Sequence, residues 1–235
     1  SASSVFNVQS STNNNVIQVK GNFYSQGTIT ETNTGLPVIE LNGTVNQDMD
    51  AGTATFQNQV DFRINNTAGV TLVSPFTLPY RLSVATGNIL LGNHTLSTSF
   101  INQINPATMT TNHIVTNGNG FLKLSSLSSG IFPVGPAPDK YNPLQLTNGG
   151  GHDFYVRVEN GINPSIAFPT FGIDRTWTIY ASAVTAGVGL SLQYASADAN
   201  PNATQPQDME ILQHSKSAWN IIPGNSNIFP AGADP

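Results

Sequence analysis

Residues 69–97 read GVTLVSPFTLPYRLSVATGNILLGNHTLS and contain one charged side chain, that of Arg81. Apolar residues alternate with Thr, Ser and Asn over short runs, and Gly or Pro interrupts each run. This alternation is typical of short β-strands, because successive side chains of a strand point to opposite faces. The apolar positions of the stretch include Val70, Leu72, Phe76, Leu78, Leu82, Val84, Ile89, Leu90, Leu91 and Leu96.

A glycine recurs just ahead of apolar positions in the first half of the chain, at Gly27, Gly43, Gly69 and Gly87. The intervals are 16, 26 and 18 residues, a mean of 20 from (87 − 27)/3. A solenoid coil turns a corner before each strand, and glycine reaches the positive φ that such corners often need. The recurrence is compatible with a parallel β-solenoid and equally with an antiparallel β-meander that turns at glycines.

The rest of the chain repeats the strand pattern and carries almost no helical periodicity, so we predict an all-β fold. The 21 Gly and 15 Pro fit a chain with many turns. The clearest strand-like runs are VIQV from 16, VIEL from 38, VDFRI from 60, FYVRV from 154, TWTIY from 176 and LSLQY from 190.

The composition changes near residue 117, after which aromatic residues and prolines become denser. Strands at intervals of roughly ten residues, with buried aromatic side chains and turn-rich joints, are typical of an antiparallel β-sandwich. We therefore predict a solenoid-like, strand-rich domain with an N-terminal extension over residues 1–117. A β-sandwich domain is predicted over residues 118–235.

Charge and composition exclude several classes of function. Only 9% of the residues are charged, so the surface must be solvated by Asn, Gln, Ser and Thr, as suits extracellular assemblies. The eight basic residues are spread singly and the net charge is −5, so nucleic acid is not an expected partner. No apolar run approaches the about 18 residues of a membrane span. With no cysteine, the chain has neither disulfides nor thiolate chemistry.

The second half resembles the module that ends many large secreted surface proteins of Bacteroidota bacteria. The resemblance rests on FPVG at 132–135, YNP at 141–143, RTW at 175–177 and a late strand that contains Trp219. With the Thr/Asn/Leu-rich repeats before the module, it covers roughly residues 60–222. It implies an exported, non-enzymatic surface or matrix protein.

The motif residues also have a local physical interpretation. Pro133 lacks an N–H donor, so its strand must end there or lie at a sheet edge, while Gly135 permits the turn that follows. Arg175 and Trp177 stand two residues apart on one strand and so share a face. We expect their side chains to form a cation–π pair inside the sandwich.

No catalytic motif emerges, and we predict that the protein is not an enzyme. The four histidines, His94, His113, His152 and His214, lie far apart in the sequence and match no hydrolase signature. We expect no cofactor. A polysaccharide lyase built on a parallel β-helix would need acids and bases on one solenoid face. The candidates for such a cluster are Asp48, Asp50, Asp61 and Arg63.

A weak calcium-loop pattern occurs in NQDMDAG, where Asn46, Asp48 and Asp50 stand at alternate positions. The glycine of that pattern arrives one place late at Gly52, and Gln57 stands where a bidentate Glu is expected. A polar loop without metal is the alternative interpretation.

These observations predict a secreted, extracellular or cell-surface structural protein that assembles with other copies of itself into a filament or an adhesive layer. The strand-like segment SSVFNVQSSTNNNVIQV (3–19) is a candidate for addition to the open sheet edge of a neighbouring copy. The alternative is a carbohydrate-binding module without catalysis. That alternative predicts an exposed glycan-binding platform made of some of Tyr141, Tyr155, Tyr180 and Trp219.

Overall fold

The computed structural model describes residues 4–8, 15–32, 35–103, 112–166, 169–183, 187–203, 211–215, 218–221 and 227–230. The all-β prediction is confirmed in this part of the chain, which contains β-strands and two 3₁₀ turns, Pro169–Phe171 and Ser196–Asp198, but no α-helix. Among these residues there is no helix of the length and apolarity that crossing a membrane requires.

The strands of the first half are, in chain order, β1 (Val5–Asn7), β2 (Val16–Val19), β3 (Phe23–Tyr24), β4 (Thr28–Thr30), β5 (Val38–Leu41), β6 (Gln47–Asp50), β7 (Thr55–Phe56), β8 (Asp61–Asn65), β9 (Val70–Leu72), β10 (Phe76–Thr77), β11 (Arg81–Thr86), β12 (Ile89–Leu90), β13 (Leu96–Thr98), β14 (Phe100–Gln103) and β15 (Ile114–Val115).

The second half contributes β16 (Leu122–Leu127), β17 (Gly130–Phe132), β18 (Val134–Gly135), β19 (Leu144–Thr147), β20 (His152–Asn160), β21 (Arg175–Ala181), β22 (Gly189–Tyr194), β23 (Leu212–Ser215), β24 (Ala218–Ile221) and β25 (Asn227–Pro230). All six strand-like runs named above are strands.

The strands of the first half stack as a parallel β-solenoid. Sheet 1 has the order β2-β5-β8-β11-β14, sheet 2 the order β3-β6-β9-β12-β15-β18, and sheet 3 the order β1-β4-β7. Sheet 4 begins β10-β13-β16. Every one of these pairings is parallel. The antiparallel meander is therefore wrong for this half.

The register of sheet 1 measures the length of a coil. Val16, Val38, Asp61, Arg81 and Phe100 are successive neighbours across the sheet. Their mean separation is 21 residues, from (100 − 16)/4, close to the mean glycine interval. Because each coil returns the chain to the same sheet after one circuit, residues one coil apart lie side by side and form a column.

The core fills the inside of the coils with such columns. In sheet 1 the inward column is Ile17, Ile39, Phe62, Leu82 and Ile101. The Phe62 ring is fully buried and packs among three other phenylalanine rings, with centroid distances of 5.1–5.9 Å. Burying one such ring contributes about 1.5–3 kcal/mol.

Glycines turn corners of the solenoid, as their spacing predicts. Gly27, Gly69 and Gly87 have φ values of +93°, +78° and +86° and stand one or two residues before a strand, whereas Gly43 does not have a positive φ. At Gly87 a Cβ atom would lie 1.8 Å from the carbonyl oxygen of Asn66, one coil earlier. Only glycine fits there, because both the dihedral angle and the space exclude a side chain.

The buried side-chain amides of Asn66 and Gln47 form a stack next to the corner at Gly87. Asn66 is fully buried, and its Nδ2 donates to the carbonyl oxygen of Val45 at 2.7 Å and to Gln47 Oε1 at 2.9 Å. Gln47, also fully buried, donates in turn to the carbonyl oxygen of Val19 at 2.9 Å. The stack links three coils, and its hydrogen bonds satisfy polar groups that would otherwise be buried without a partner.

Beyond the solenoid the sheets become mixed, and the predicted antiparallel sandwich is not confirmed. Sheet 4 continues with β20 and β21, both antiparallel to their neighbours. Sheet 5 has the order β17-β19-β22-β25, in which β22 and β25 pair in parallel. β23 and β24 form an antiparallel pair.

The predicted boundary at 117 falls between β15 and β16, and the pairing of β13 with β16 crosses it. Leu122, Phe154 and Val156 belong to the same hydrophobic cluster as the solenoid core.

Candidate binding surfaces

The motif residues of the second half meet in a buried hydrogen-bonded cluster. Asn142 Oδ1 accepts from Arg175 Nε at 2.9 Å, and the Asn142 carbonyl oxygen accepts from Trp177 Nε1 at 3.1 Å. Asp198 accepts from Asn142 Nδ2 at 2.8 Å and forms an ion pair with Arg175. The Asn142 N–H donates to the carbonyl oxygen of Val134 at 2.9 Å. FPVG, YNP and RTW therefore join one structural cluster, which we call the motif cluster.

The predicted cation–π pair of Arg175 with Trp177 is wrong. The two side chains share a face, as expected, but both are directed to Asn142. The Arg175 guanidinium is almost fully buried, where a carboxylate compensates its charge better than an aromatic ring does. Pro133 behaves as predicted, since it directly precedes β18, the edge strand of sheet 2.

His113 is held inside the fold beside Gly135. Its Nε2 lies 3.0 Å from the carbonyl oxygen of Ala137, and its ring packs against Tyr141 at a centroid distance of 5.4 Å. A carbonyl oxygen only accepts, so Nε2 carries a proton. A Cβ at Gly135 would lie 2.6 Å from that nitrogen, so glycine is needed for the close approach. His94, His152 and His214 lie on other elements: after β12, in β20 and in β23.

The calcium candidates Asn46, Asp48 and Asp50 lie on and beside strand β6 rather than in a loop. Neighbouring coils engage each side chain: Thr71 Oγ1 donates to Asn46 Oδ1 at 2.9 Å, and Asn22 Nδ2 donates to Asp48 Oδ2 at 3.2 Å.

The Asp50 carboxylate accepts hydrogen bonds from the Ser74 hydroxyl and from the Gly52 N–H, which lower its pKa. No group of three or more His, Asp or Glu suited to a metal occurs among the described residues. Calcium binding stays a prediction.

The four candidates for lyase-type chemistry divide between two sheets. Asp48 and Asp50 lie on the outer face of sheet 2, whereas Arg63 and the fully buried Asp61 lie on the face of sheet 1 that is turned away from the inward column.

On sheet 1 the charges pair across coils: Glu40 lies 3.2 Å from Arg63, and Asp61 lies 2.7 Å from Arg81. The hydrogen bond that Arg81 donates to the Asp61 carboxylate raises the pKa of Arg81. Each charge has a partner of opposite sign, an arrangement typical of a structural ladder.

The outer face of sheet 4 carries aromatic and charged side chains together. This aromatic face consists of Phe121, Lys123, Tyr155, Arg157 and Tyr180. Tyr155 lies between Lys123 on β16 and Tyr180 on β21. The Phe121 and Tyr180 ring centroids are 5.4 Å apart. Lys123 Nζ lies 5.3 Å from the Tyr155 centroid, and the Arg157 guanidinium lies 5.5 Å from the Phe121 centroid.

Two of the four aromatic residues predicted to form a platform, Tyr155 and Tyr180, thus face each other on neighbouring strands. Tyr141 lies elsewhere, against His113, and the Trp219 side chain lies outside the described part of the structure. Sequence reasoning missed the other three members of the face. The alternation in FYVRV places Arg157 beside Tyr155, whereas Phe121 and Lys123 arrive only through strand pairing.

Among the described strands, those at the N-terminal end of the solenoid have open sheet edges. β1, β2 and β3 are the outermost strands of sheets 3, 1 and 2, and we call these three strands the open end. They carry exposed Val5, Phe6, Val16 and Tyr24, with 63%, 54%, 44% and 60% of each residue accessible. At the other edge of sheet 1, Phe100 of β14 is 57% exposed.

The segment predicted as a free donor arm is paired within its own chain where the structure describes it. β1 pairs with β4, and β2 pairs with β5. Both strands therefore form part of an edge that can receive a strand, because their outer backbone groups face away from the coils.

A comparison with protein-family models, with curated proteins and with solved structures finds no match to this chain.

Proposed function

We propose that this chain is a non-catalytic structural subunit of an extracellular filament, sheath or matrix layer, and that its copies assemble end to end through their solenoids. The open end carries this proposal, because three strands offer backbone edges together with exposed apolar side chains. An exposed edge is a template for another strand, and proteins commonly blunt it with charged residues or proline. The exposed residues of the open end are uncharged: Val5, Phe6, Val16 and Tyr24, together with the polar Asn7 and Gln18.

The two edges of sheet 1 are chemically complementary. With β14 of one copy in parallel register with β2 of the next, Phe100 lies beside Val16 and Ile101 beside Ile17. The pair Phe100 and Val16 then covers apolar surface that each end exposes alone. Ile101 and Ile17 continue the inward column of the coils from one copy to the next.

Such a contact joins different surfaces of the two copies. A head-to-tail contact of this kind generates an open fibre, except where the rotation from one copy to the next closes the copies into a ring. The low fraction of charged residues supports this assembly, because little like-charge repulsion separates the copies. The resemblance of the second half to secreted surface proteins supports an extracellular location and a structural role.

The test uses two single substitutions that each block one edge, Val16→Lys and Phe100→Lys. Each variant alone should sediment as a monomer under conditions in which the unmodified chain forms filaments visible by negative-stain electron microscopy. An equimolar mixture should form dimers and nothing larger, because each variant keeps one intact edge and the two intact edges are complementary.

Phe171→Lys is the matched control, since Phe171 is similarly exposed, at 61%, but lies in a 3₁₀ turn that belongs to none of the sheets. That variant should assemble like the unmodified chain. The proposal fails if the unmodified chain stays monomeric at high concentration, if Phe171→Lys abolishes assembly as well, or if the mixture yields no dimer.

A further inference from the structure

Four of the five residues of the aromatic face stand on paired strands, and Phe121 directly precedes β16. Its middle strand, β20, buries Phe154, Val156 and Val158 in the core. The intervening residues of β20, among them Tyr155 and Arg157, therefore point outward. Side chains on a paired strand are held more precisely than side chains on a loop. Ligand binding therefore costs less side-chain conformational entropy.

The charged groups of the face are fixed by mutual pairing. Lys123 Nζ lies 2.7 Å from Asp153 Oδ2, and Asp153 Oδ1 accepts from the Ser126 N–H at 3.0 Å. Arg157 lies 3.2 Å from Glu159 and donates to the carbonyl oxygen of Gly118 at 3.2 Å. The carboxylates of Asp153 and Glu159 thus cancel the charges of Lys123 and Arg157, so the aromatic face together with these two partners has no net charge.

The aromatic rings offer a shallow surface between these pairs. Tyr180 is 58% exposed, whereas Tyr155 and Phe121 are half-buried. The negative face of an aromatic ring attracts polarised C–H groups, such as those on the flat face of a pyranose ring. The paired charged groups supply hydrogen-bond donors and acceptors at fixed positions for sugar hydroxyl groups.

We propose that the aromatic face binds a neutral polysaccharide, with sugar rings packed on Tyr180 and Tyr155 and hydroxyl groups bound to Lys123, Asp153 and Arg157. The cancelled charge favours a neutral glycan over an anionic one, which would require unpaired cations. The site also differs from a protein-docking patch, because charged pairs surround its rings where a protein interface would place a contiguous apolar centre. This proposal is independent of end-to-end assembly.

The experiment measures binding of the full chain to soluble neutral hexasaccharides by isothermal titration calorimetry. The probes are cellohexaose, xylohexaose, mannohexaose and chitohexaose, with polygalacturonate as the anionic comparison. At least one neutral probe should bind, with an affinity that changes little between about 0.05 and 0.5 M salt. Polygalacturonate should not bind.

Variants then assign the site. Tyr180→Ala should weaken binding about tenfold, whereas Tyr180→Phe, which keeps the ring, should stay within about threefold of the unmodified chain. Tyr24→Ala is the control, because Tyr24 is equally exposed but lies at the open end. The assay uses the monomeric Val16→Lys background as well, so that loss of assembly and loss of glycan binding are distinguished.

Three results would overturn the proposal: no binding of any neutral probe, binding of polygalacturonate alone, or equal losses for Tyr180→Ala and Tyr24→Ala. If Tyr180→Ala removes self-association while glycan binding is absent, the aromatic face is an interface between copies instead.

Discussion

The side chains of Arg175 and Asn142 meet in a buried hydrogen bond of 2.9 Å, although the two residues are 33 positions apart in the chain. Asn142 follows β18 of sheet 2, and Arg175 opens β21, the edge strand of sheet 4. Asp198, which binds both side chains, follows β22 of sheet 5. The motif cluster therefore ties three sheets together where the parallel coils end.

Replacing Arg175 by Met should destabilise the fold by about 3–5 kcal/mol, because Asp198 then stays buried without a compensating charge. Equilibrium urea unfolding followed by tryptophan fluorescence measures this loss. Arg157→Met removes a partly exposed ion pair and should cost only about 0–1 kcal/mol. Similar losses for the two variants would contradict the buried role of Arg175.

Gly87→Ala should cost more than Gly92→Ala, although both glycines have positive φ. The added methyl at Gly92 meets no atom within 4 Å, so its cost is that of the left-handed conformation, about 1–2 kcal/mol. At Gly87 the methyl group would also collide with the Asn66 carbonyl, which adds about 1–3 kcal/mol. Thermal unfolding by circular dichroism compares the variants, and equal midpoints would refute the close packing of the coils.

Phe62→Ala should lower the free energy of unfolding by about 3–5 kcal/mol, because Phe62 is fully buried among the rings of Phe23, Phe56 and Phe76. Phe171→Ala removes an exposed ring and should change stability by less than about 0.5 kcal/mol. Chemical denaturation of both variants checks the difference. A small effect at Phe62 would mean that the solenoid core is not packed as described.

The pair of Lys123 with Asp153 should make stability depend on pH at both ends of the scale. The hydrogen bond from Lys123 lowers the pKa of Asp153 below its usual 3.8, and the same bond raises the pKa of Lys123 above its usual 10.5. The folded state therefore gains stability between these two usual values. It loses that gain as the pH falls through the lowered Asp153 pKa or rises through the raised Lys123 pKa.

Asp153→Asn should accordingly be less stable than the unmodified chain near neutral pH, and the difference should shrink as the pH falls below about 3.8. Urea unfolding at a series of pH values measures both chains. The ion pair is partly exposed, so added salt should also reduce the difference. A difference that stays constant down to strongly acidic pH would contradict the ionic contribution.

The candidate surfaces were only partly accessible to sequence reasoning. The carbohydrate-binding alternative names Tyr155 and Tyr180 together with Tyr141 and Trp219, and the sequence does not show which of the four are exposed. The position of Tyr155 and Tyr180 opposite each other depends on the antiparallel register of β20 and β21, which no local pattern encodes. The partner of Arg175 was missed for a related reason. Asp198 belongs to a turn 23 residues later, and only the folded chain brings it close.

The sequence by itself determined that the chain is all-β, where most strands lie and that glycines turn the corners of its coils, because alternation and backbone freedom are local properties. Tertiary structure alone decided the direction of strand pairing, since an alternating segment presents the same two faces to a parallel and to an antiparallel neighbour. That choice distinguishes a solenoid from a meander in the first half and gives mixed sheets in the second. It also leaves Val16 and Phe100 at opposite edges of one sheet.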